Sequence, residues 1–278
     1  LNKRNNKSHH RDLTKNNFEN IDLVIVNFYP FEDTIKNTSN HKKIIENIDV
    51  GGPTMVRAAA KNYNDVSVIT SSFQYDELIS ELLKFKGSTS QNFRKKLSQQ
   101  AFTETAYYDA LISNYFNKIT NNNFPEKKIV YGNLIERLRY GENPHQESAI
   151  YSQNKFLNIK QLNGKQLSYN NYNDIFAALA ISKSLPKNTG ITIIKHANPC
   201  GVSVLKNNVE CYKSALACDP ISAFGGIVSC NFKVSKNLAL ELNKLFVEVI
   251  IGNDFDASAL KVLKKKKNLR LIDASDFN

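Results

Sequence analysis

With 278 residues, 41% of them apolar, the chain has material for two domains with their own cores. It has no apolar run near the roughly 18–20 residues that span a bilayer. Its four cysteines, Cys200, Cys211, Cys218 and Cys230, make no CxxC pair, which excludes a zinc-cluster or disulfide-framework pattern and fits a reducing, cytoplasmic compartment. The net charge of +11 is scattered through an Asn- and Lys-rich composition, so it points to anionic small substrates more than to a nucleic-acid surface. The chain begins at Leu1 with no apolar signal-peptide core, and reads as a piece of a longer protein.

Residues 1–20 are polar and basic, and read as an irregular surface loop in which His9 and His10 are not metal ligands. Residues 21–28 read as a buried strand stopped by Pro30. Tyr29, at the strand end, is either a hydrogen-bonding or acid–base group or core packing. Residues 41–48 have helical spacing, and Asp49 then precedes Gly51-Gly52-Pro53, where glycines allow close backbone approach and Pro53 suits the first helical position. A glycine turn into a helix N-terminus can hold an anion. Lys61 closes the Ala-rich helix, either as a functional cation or as a complement to the helix C-terminus. A strand over residues 66–70, an amphipathic helix over 74–85 and one long helix over 90–118 follow. The helix over 74–85 turns Leu78, Leu82 and Phe85 inward. The long helix turns Phe93, Leu97, Ala101, Tyr108, Leu111 and Tyr115 inward. Residues 121–128, polar and proline-bearing without periodicity, read as a linker.

Beyond it, residues 138–146 gather polar and ring side chains around Gly141 and Pro144, with the Arg139 fork suited to phosphate or carboxylate and the Tyr140 ring to a heterocycle. An Asn pair, Asn170-Asn171, precedes a helix over residues 175–184. Residues 191–194 (Ile-Thr-Ile-Ile) then form a buried strand that stops at Lys195-His196, after which the chain turns at Pro199-Cys200-Gly201. Ligands of open α/β sheets lie beyond strand carboxyl ends. There a neutral His is a usable general base and a Lys can stabilise developing negative charge. A Lys and a His in a solvated loop is the other reading. A helix over 211–218, the small-residue turn Ser222-Ala223-Phe224-Gly225-Gly226, a strand over 227–229, a helix over 235–246, a strand over 247–251 and a helix over 257–267 complete an α/β pattern.

Taken in order, Asn27-Phe28-Tyr29-Pro30-Phe31, Ile48-Asp49-Val50-Gly51-Gly52-Pro53-Thr54, Arg57 to Asn62, Arg139 to Gln146, Lys195 to Gly201 and Ser222 to Gly226 resemble the bifunctional PurH family of purine-biosynthesis enzymes. That resemblance implies two incomplete domains. Residues 1–124 would be the C-terminal part of a Rossmann-like, methylglyoxal-synthase-like IMP cyclohydrolase domain. Residues 125–278 would be the N-terminal part of a cytidine-deaminase-like domain that transfers a formyl group to phosphoribosylaminoimidazolecarboxamide (AICAR). It implies Tyr29, Asp49 and Lys61 for ring closure of formyl-AICAR (FAICAR) to IMP, Lys195 and His196 as the transferase pair, and Arg139, Tyr140, Asn171, Phe224, Gly225 and Glu248 as nucleotide-binding positions. It further implies 10-formyltetrahydrofolate as co-substrate and no metal. A cytosolic homodimer, with Arg139 serving the neighbouring subunit's nucleotide and no nucleic-acid or membrane partner, completes the expectation.

Two other classes stand beside this one. Zinc deaminases pair His-x-Glu with Pro-Cys-x-x-Cys, whereas here Asn198 replaces the Glu and Ser203 the second Cys. A basic nucleic-acid-binding protein would rest on charge alone.

Overall fold

The structure, a computed structural model, describes residues 1–154 and 156–277. The chain divides into two compact units, Leu1–Tyr131 and Gly132–Asn278, each mixed α/β. Among the described residues no helix is long and apolar enough to cross a membrane.

The first unit opens with helix α1 (Lys7–Asn16), where an irregular loop was expected. It buries nothing, and its caps define it: the Asn6 side chain accepts from the Ser8 and His9 amides, and Asn17 closes it in the left-handed region. Strand β1 (Leu23–Ile25) is shorter than the run that predicted it and only partly buried, because it pairs on one side only, in parallel with β2 (Ser67–Ile69). Between them lie α2 (Phe31–Asn37), α3 (His41–Glu46) and α4 (Gly51–Lys61). Helix α4 starts at Gly51, so Pro53 occupies its third position, not its first. That position is equally tolerant, since amides of the first turn lack intrahelical partners.

After β2, a 3-10 turn (Ser72–Gln74) leads into α5 (Tyr75–Lys84), and Ser90 caps the 29-residue α6 (Gln91–Ile119). The inward stripe of α6 splits between two cores. Phe93, Leu97 and Ala101 pack with Val56, Ala59, Val68 and Ile69, whereas Tyr108 and Leu111 pack with Phe31 and Ile44. Phe85, expected on the packed side of α5, lies past the helix end and is exposed.

In the second unit β3 (Asn133–Arg137) and β4 (Ala149–Ser152) form an antiparallel pair around the loop that carries Arg139 and Tyr140. The remaining elements are β5 (Lys160–Asn163), α7 (Tyr169–Ser184), β6 (Gly190–Lys195), β7 (Asn198–Val204), α8 (Asn208–Cys218), β8 (Ile227–Cys230), α9 (Lys236–Leu242), β9 (Val249–Gly252), α10 (Ala257–Leu263) and β10 (Arg270–Asp273). Six strands make one sheet in the order β5-β10-β9-β8-β6-β7. Strands β8, β9 and β10 are parallel, while β5, and β6 against β8 and β7, run antiparallel.

Strand pleating divides the unit into three layers. Ile191, Ile193, Val228, Ile250 and Leu271 face α8, α9 and α10, where they meet Tyr212, Leu238, Leu242 and Leu263. Ile194, Ile227, Val249, Ile251 and Ile272 face α7 and meet Ile175, Ala178 and Leu179. Helix α7 begins at Tyr169, six residues before the predicted start, because Ser168 and Asn171 form a reciprocal capping box. Helices α9 and α10 are shorter than expected.

The predicted Pro-Cys-Gly turn is a strand instead. Asn198 to Gly201 pair with β6, and the chain reverses one step earlier, at His196-Ala197. Strand β7 is the outer strand, where a proline amide is not missed, and the register shifts beside Pro199.

Candidate functional site

In the first unit the loop before α4 is built around Asp49. Its Oδ1 accepts from the Gly52 amide at 2.7 Å and its Oδ2 from the Tyr29 amide at 3.3 Å. Its own amide donates to the Tyr108 hydroxyl at 2.8 Å, and that hydroxyl donates to the Asn47 carbonyl. A Cβ on Gly52 would stand 2.6 Å from Asp49 Oδ2, so glycine is what allows the carboxylate to fold back onto the helix start. Tyr29, whose amide makes that bond, is 56% exposed, so it does not pack in the core. Burial pushes the Tyr108 phenol up, so it serves as a neutral donor and acceptor. Tyr108 was expected only to pack. A phenol in a buried stripe usually seeks a hydrogen-bond partner, and that was the available signal. Lys61 lies elsewhere: it is exposed in the last turn of α4, about 14 Å along the axis from Gly52 at 1.5 Å per residue. Tyr29 and Asp49 are therefore brought together, and Lys61 is not.

In the second unit the candidate residues converge on one edge of the sheet. Lys195 ends β6, and its Nζ donates to the Phe224 carbonyl at 2.7 Å. His196 and Ala197 follow with φ of 53° and 57° and carry the chain into β7. The Ala197 amide donates to Asp174 Oδ1 at 2.7 Å, and Asn198 Nδ2 to the His196 carbonyl at 2.8 Å. The His196 ring is left exposed.

Opposite lies the Phe224-Gly225-Gly226 turn. Gly225 has φ of 74° and donates to the Phe246 carbonyl, and the Phe224 ring, 57% exposed, stands 5.3 Å from that of Phe246. Gly226 permits close approach, since a Cβ there would meet the Ile194 carbonyl at 2.7 Å. Its carbonyl accepts from the Glu248 amide. Glu248 Oε2 in turn accepts from Asn171 Nδ2 at 3.0 Å and lies 3.6 Å from the Arg270 guanidinium. The Arg270 side chain is only 15% exposed.

Arg139 and Tyr140 sit against one another, with the guanidinium 5.3 Å from the ring centroid. Their loop is closed by the Gly141 amide on the Gln146 carbonyl and by Ser148 on the Tyr140 carbonyl. With Lys165, Ser168 and Arg270 they line a cleft of about 260 Å³.

Lys195 and His196 stand at the carboxyl end of their strand, as the sequence suggested, but the strands on either side run the other way. Because the sheet is mixed, Lys195 at the carboxyl end of β6 faces the amino ends of β8, β9 and β10, where Gly226, Glu248 and Arg270 stand. Asp174 and Arg270 were missed. They lie far in sequence from Lys195, and no local motif marks them.

Cys200, the third residue of β7, is half-buried, and burial followed by the Asp219 carboxylate pushes its thiol up. It is thus kept from the thiolate form that attacks or ligates. Among the described residues no group of three or more His, Cys, Asp or Glu side chains is placed to hold a metal ion.

Residues 59–278 match the family described as AICARFT/IMPCHase bienzyme. The chain is similar to the protein named bifunctional purine biosynthesis protein PurH from Bradyrhizobium diazoefficiens, at 44% identity over 99% of this chain and 53% of that protein. It is equally similar to the PurH of Clostridioides difficile, at 44% identity over 98% of this chain and 54% of that protein. The chain spans about half the length of the curated relatives it matches.

Proposed function

Because the chain belongs to the AICARFT/IMPCHase bienzyme family, we propose that its two units carry parts of two active sites for the last two steps of IMP synthesis. The second unit contributes to formyl transfer from 10-formyltetrahydrofolate to the AICAR amine, the first to dehydrative closure of FAICAR to IMP. The observation that carries this reading is the convergence of Lys195, His196, Phe224, Gly225, Asn171 and Glu248 on one sheet edge.

An amine conjugated to an imidazole carboxamide is a poor nucleophile. Its nitrogen must bond to the formyl carbon while losing a proton, and the bond from that carbon to N10 of the folate must break. The exposed His196 ring takes the proton and returns it to the departing N10, a general acid–base role. Lys195 stabilises the oxyanion of the tetrahedral intermediate, its ammonium held near the turn by the Phe224 carbonyl. Arg139 and Arg270 offer planar forks to the nucleotide phosphate, and Tyr140 and Phe224 offer ring faces to the base.

For ring closure, the carboxamide nitrogen attacks the formyl carbon and water leaves. Tyr29 and Asp49 supply the proton transfers; Lys61, which the resemblance also assigns to this step, stands at the far end of α4 from them and is given no part in it.

The reading includes a methylglyoxal-synthase-like first domain over residues 1–124, a cytidine-deaminase-like second domain over residues 125–278, a cytosolic homodimer and no catalytic metal. Family membership supports neither a zinc deaminase nor a nucleic-acid-binding protein.

The test is product analysis. Full-length protein given AICAR and 10-formyltetrahydrofolate should yield IMP and tetrahydrofolate in equal amounts. Absence of AICAR-dependent tetrahydrofolate release would sink the reading.

A further inference from the structure

We propose that Asp174 is a positioning residue for His196, holding the His196-Ala197 turn in the one shape that presents the imidazole at the sheet edge. The proposal rests on the assignment of formyl transfer to this turn.

Lys195 pairs with Asn198, so His196 and Ala197 are the two central residues of a hairpin, and both take left-handed φ. Such two-residue connections favour Asn or Gly, which adopt that conformation at little cost. His and Ala do not, because their Cβ crowds the following carbonyl. Local preference therefore disfavours the turn, and something outside it must hold it.

Two ties do so. Asn198 Nδ2 reaches the His196 carbonyl at 2.8 Å from within the hairpin. The Asp174 carboxylate accepts the Ala197 amide at 2.7 Å from another element, a charge-assisted bond of the stronger kind. Asp174 is well placed for the task because α7 is firmly seated: its neighbours Ile175, Ala178 and Leu179 are buried against Ile194 and Ile227, beneath the same hairpin. The Asp174 oxygen that bonds Ala197 acts on His196 through the backbone.

The experiment compares Asp174→Ala, Asp174→Asn and Asp174→Ala with Ala197→Gly in the full-length protein, following formyl transfer and exchange of the Ala197 amide with deuterium. Asp174→Ala should lower kcat by roughly ten- to a hundredfold, the scale of a displacement of about 1 Å. KM for AICAR should hold and Ala197 exchange should quicken. Asp174→Asn keeps an acceptor oxygen and should stay within about fivefold of wild type. Adding Ala197→Gly to Asp174→Ala should restore part of kcat, because glycine takes the left-handed conformation unaided.

Three results would overturn the proposal: an Asn variant as impaired as Ala, a rise in KM at unchanged kcat, or unchanged Ala197 exchange in Asp174→Ala. Failure of the underlying assignment would look different. His196→Ala would then keep formyl transfer while Ala197 exchange still responded to Asp174→Ala.

Discussion

Asn171 Nδ2 donates to Glu248 Oε2 at 3.0 Å, joining the start of α7 to the residue just before β9. The same Asn171 accepts the Ser168 amide, so one buried carboxamide both caps a helix and orients a carboxylate. The Arg270 guanidinium lies 3.6 Å from the same Oε2, so both contacts hold one carboxylate oxygen and leave Oε1 to face outward.

Glu248→Gln should therefore weaken nucleotide binding more than folding. As a nucleotide-binding carboxylate it would lose one charge-assisted hydrogen bond to the ligand, about 1.5–3 kcal/mol, while the Gln oxygen still accepts from Asn171. Calorimetric titration with AICAR should show a loss of about ten- to a hundredfold in affinity, with little change in melting temperature. Unchanged affinity would remove Glu248 from the nucleotide site.

The two chemistries should separate by mutation, since their residues lie in different units. His196→Ala should lower formyl transfer by roughly a hundred- to ten-thousandfold, the range for losing a general base, while cyclisation of supplied FAICAR continues near the wild-type rate. Asp49→Asn should do the reverse. Circular dichroism on each variant separates lost chemistry from lost fold. Equal loss of both activities in folded His196→Ala protein would contradict the assignment.

Neighbouring glycines at the start of α4 should respond in opposite ways. Around Gly51 a new Cβ meets nothing within 4 Å, so Gly51→Ala should be neutral or should stabilise by about 0.5–1 kcal/mol through the unfolded chain. Gly52→Ala drives a methyl into Asp49 and should cost about 1–3 kcal/mol. It should also impair cyclisation, as Asp49 is pushed away from Tyr29. Urea denaturation of both variants measures the difference.

Tyr212 is buried against the α8 side of the sheet, and its hydroxyl has no hydrogen-bond partner among the described residues. Tyr212→Phe should stabilise the second unit by about 1 kcal/mol, by removing a polar group that lost its water. Burial also pushes the phenol up to about 12, from an ordinary 10. A raised pKa means the neutral form is favoured on folding, so this contribution is intact below pH 10 and is lost as pH rises from about 10 to about 12. The Phe variant should show a shallower decline in denaturation midpoint over that window.

The strands of the second unit could be read from sequence because Ile191-Thr192-Ile193-Ile194 and its counterparts are buried on both faces, and burial alone dictates such runs. The stop at Lys195-His196 was equally visible. The turn itself was misplaced because Pro199 and Gly201 ordinarily break structure, whereas here an outer strand tolerates the proline and a close approach to the Ala215 carbonyl requires the glycine. Helix α1 was missed because its caps are single Asn residues in a polar stretch with no apolar face. Asp174 and Arg270 could not be found by spacing. Sheet order brings Arg270 to the edge where Lys195 ends, and the packing of α7 on that sheet brings Asp174 there, long-range properties that no local window contains.

The sheet order also bears on how the site moves. Strands β8 and β9 are interior strands with helices over both faces, so their amides should exchange with solvent only through global unfolding. Gly226 and Glu248 hang directly from their first residues. The floor of the site thus inherits the slowest opening rate in the unit. The turn bearing His196 leads into the outermost strand and has no such burial behind it, so the base keeps its place opposite that platform through the Asp174 and Asn198 hydrogen bonds alone.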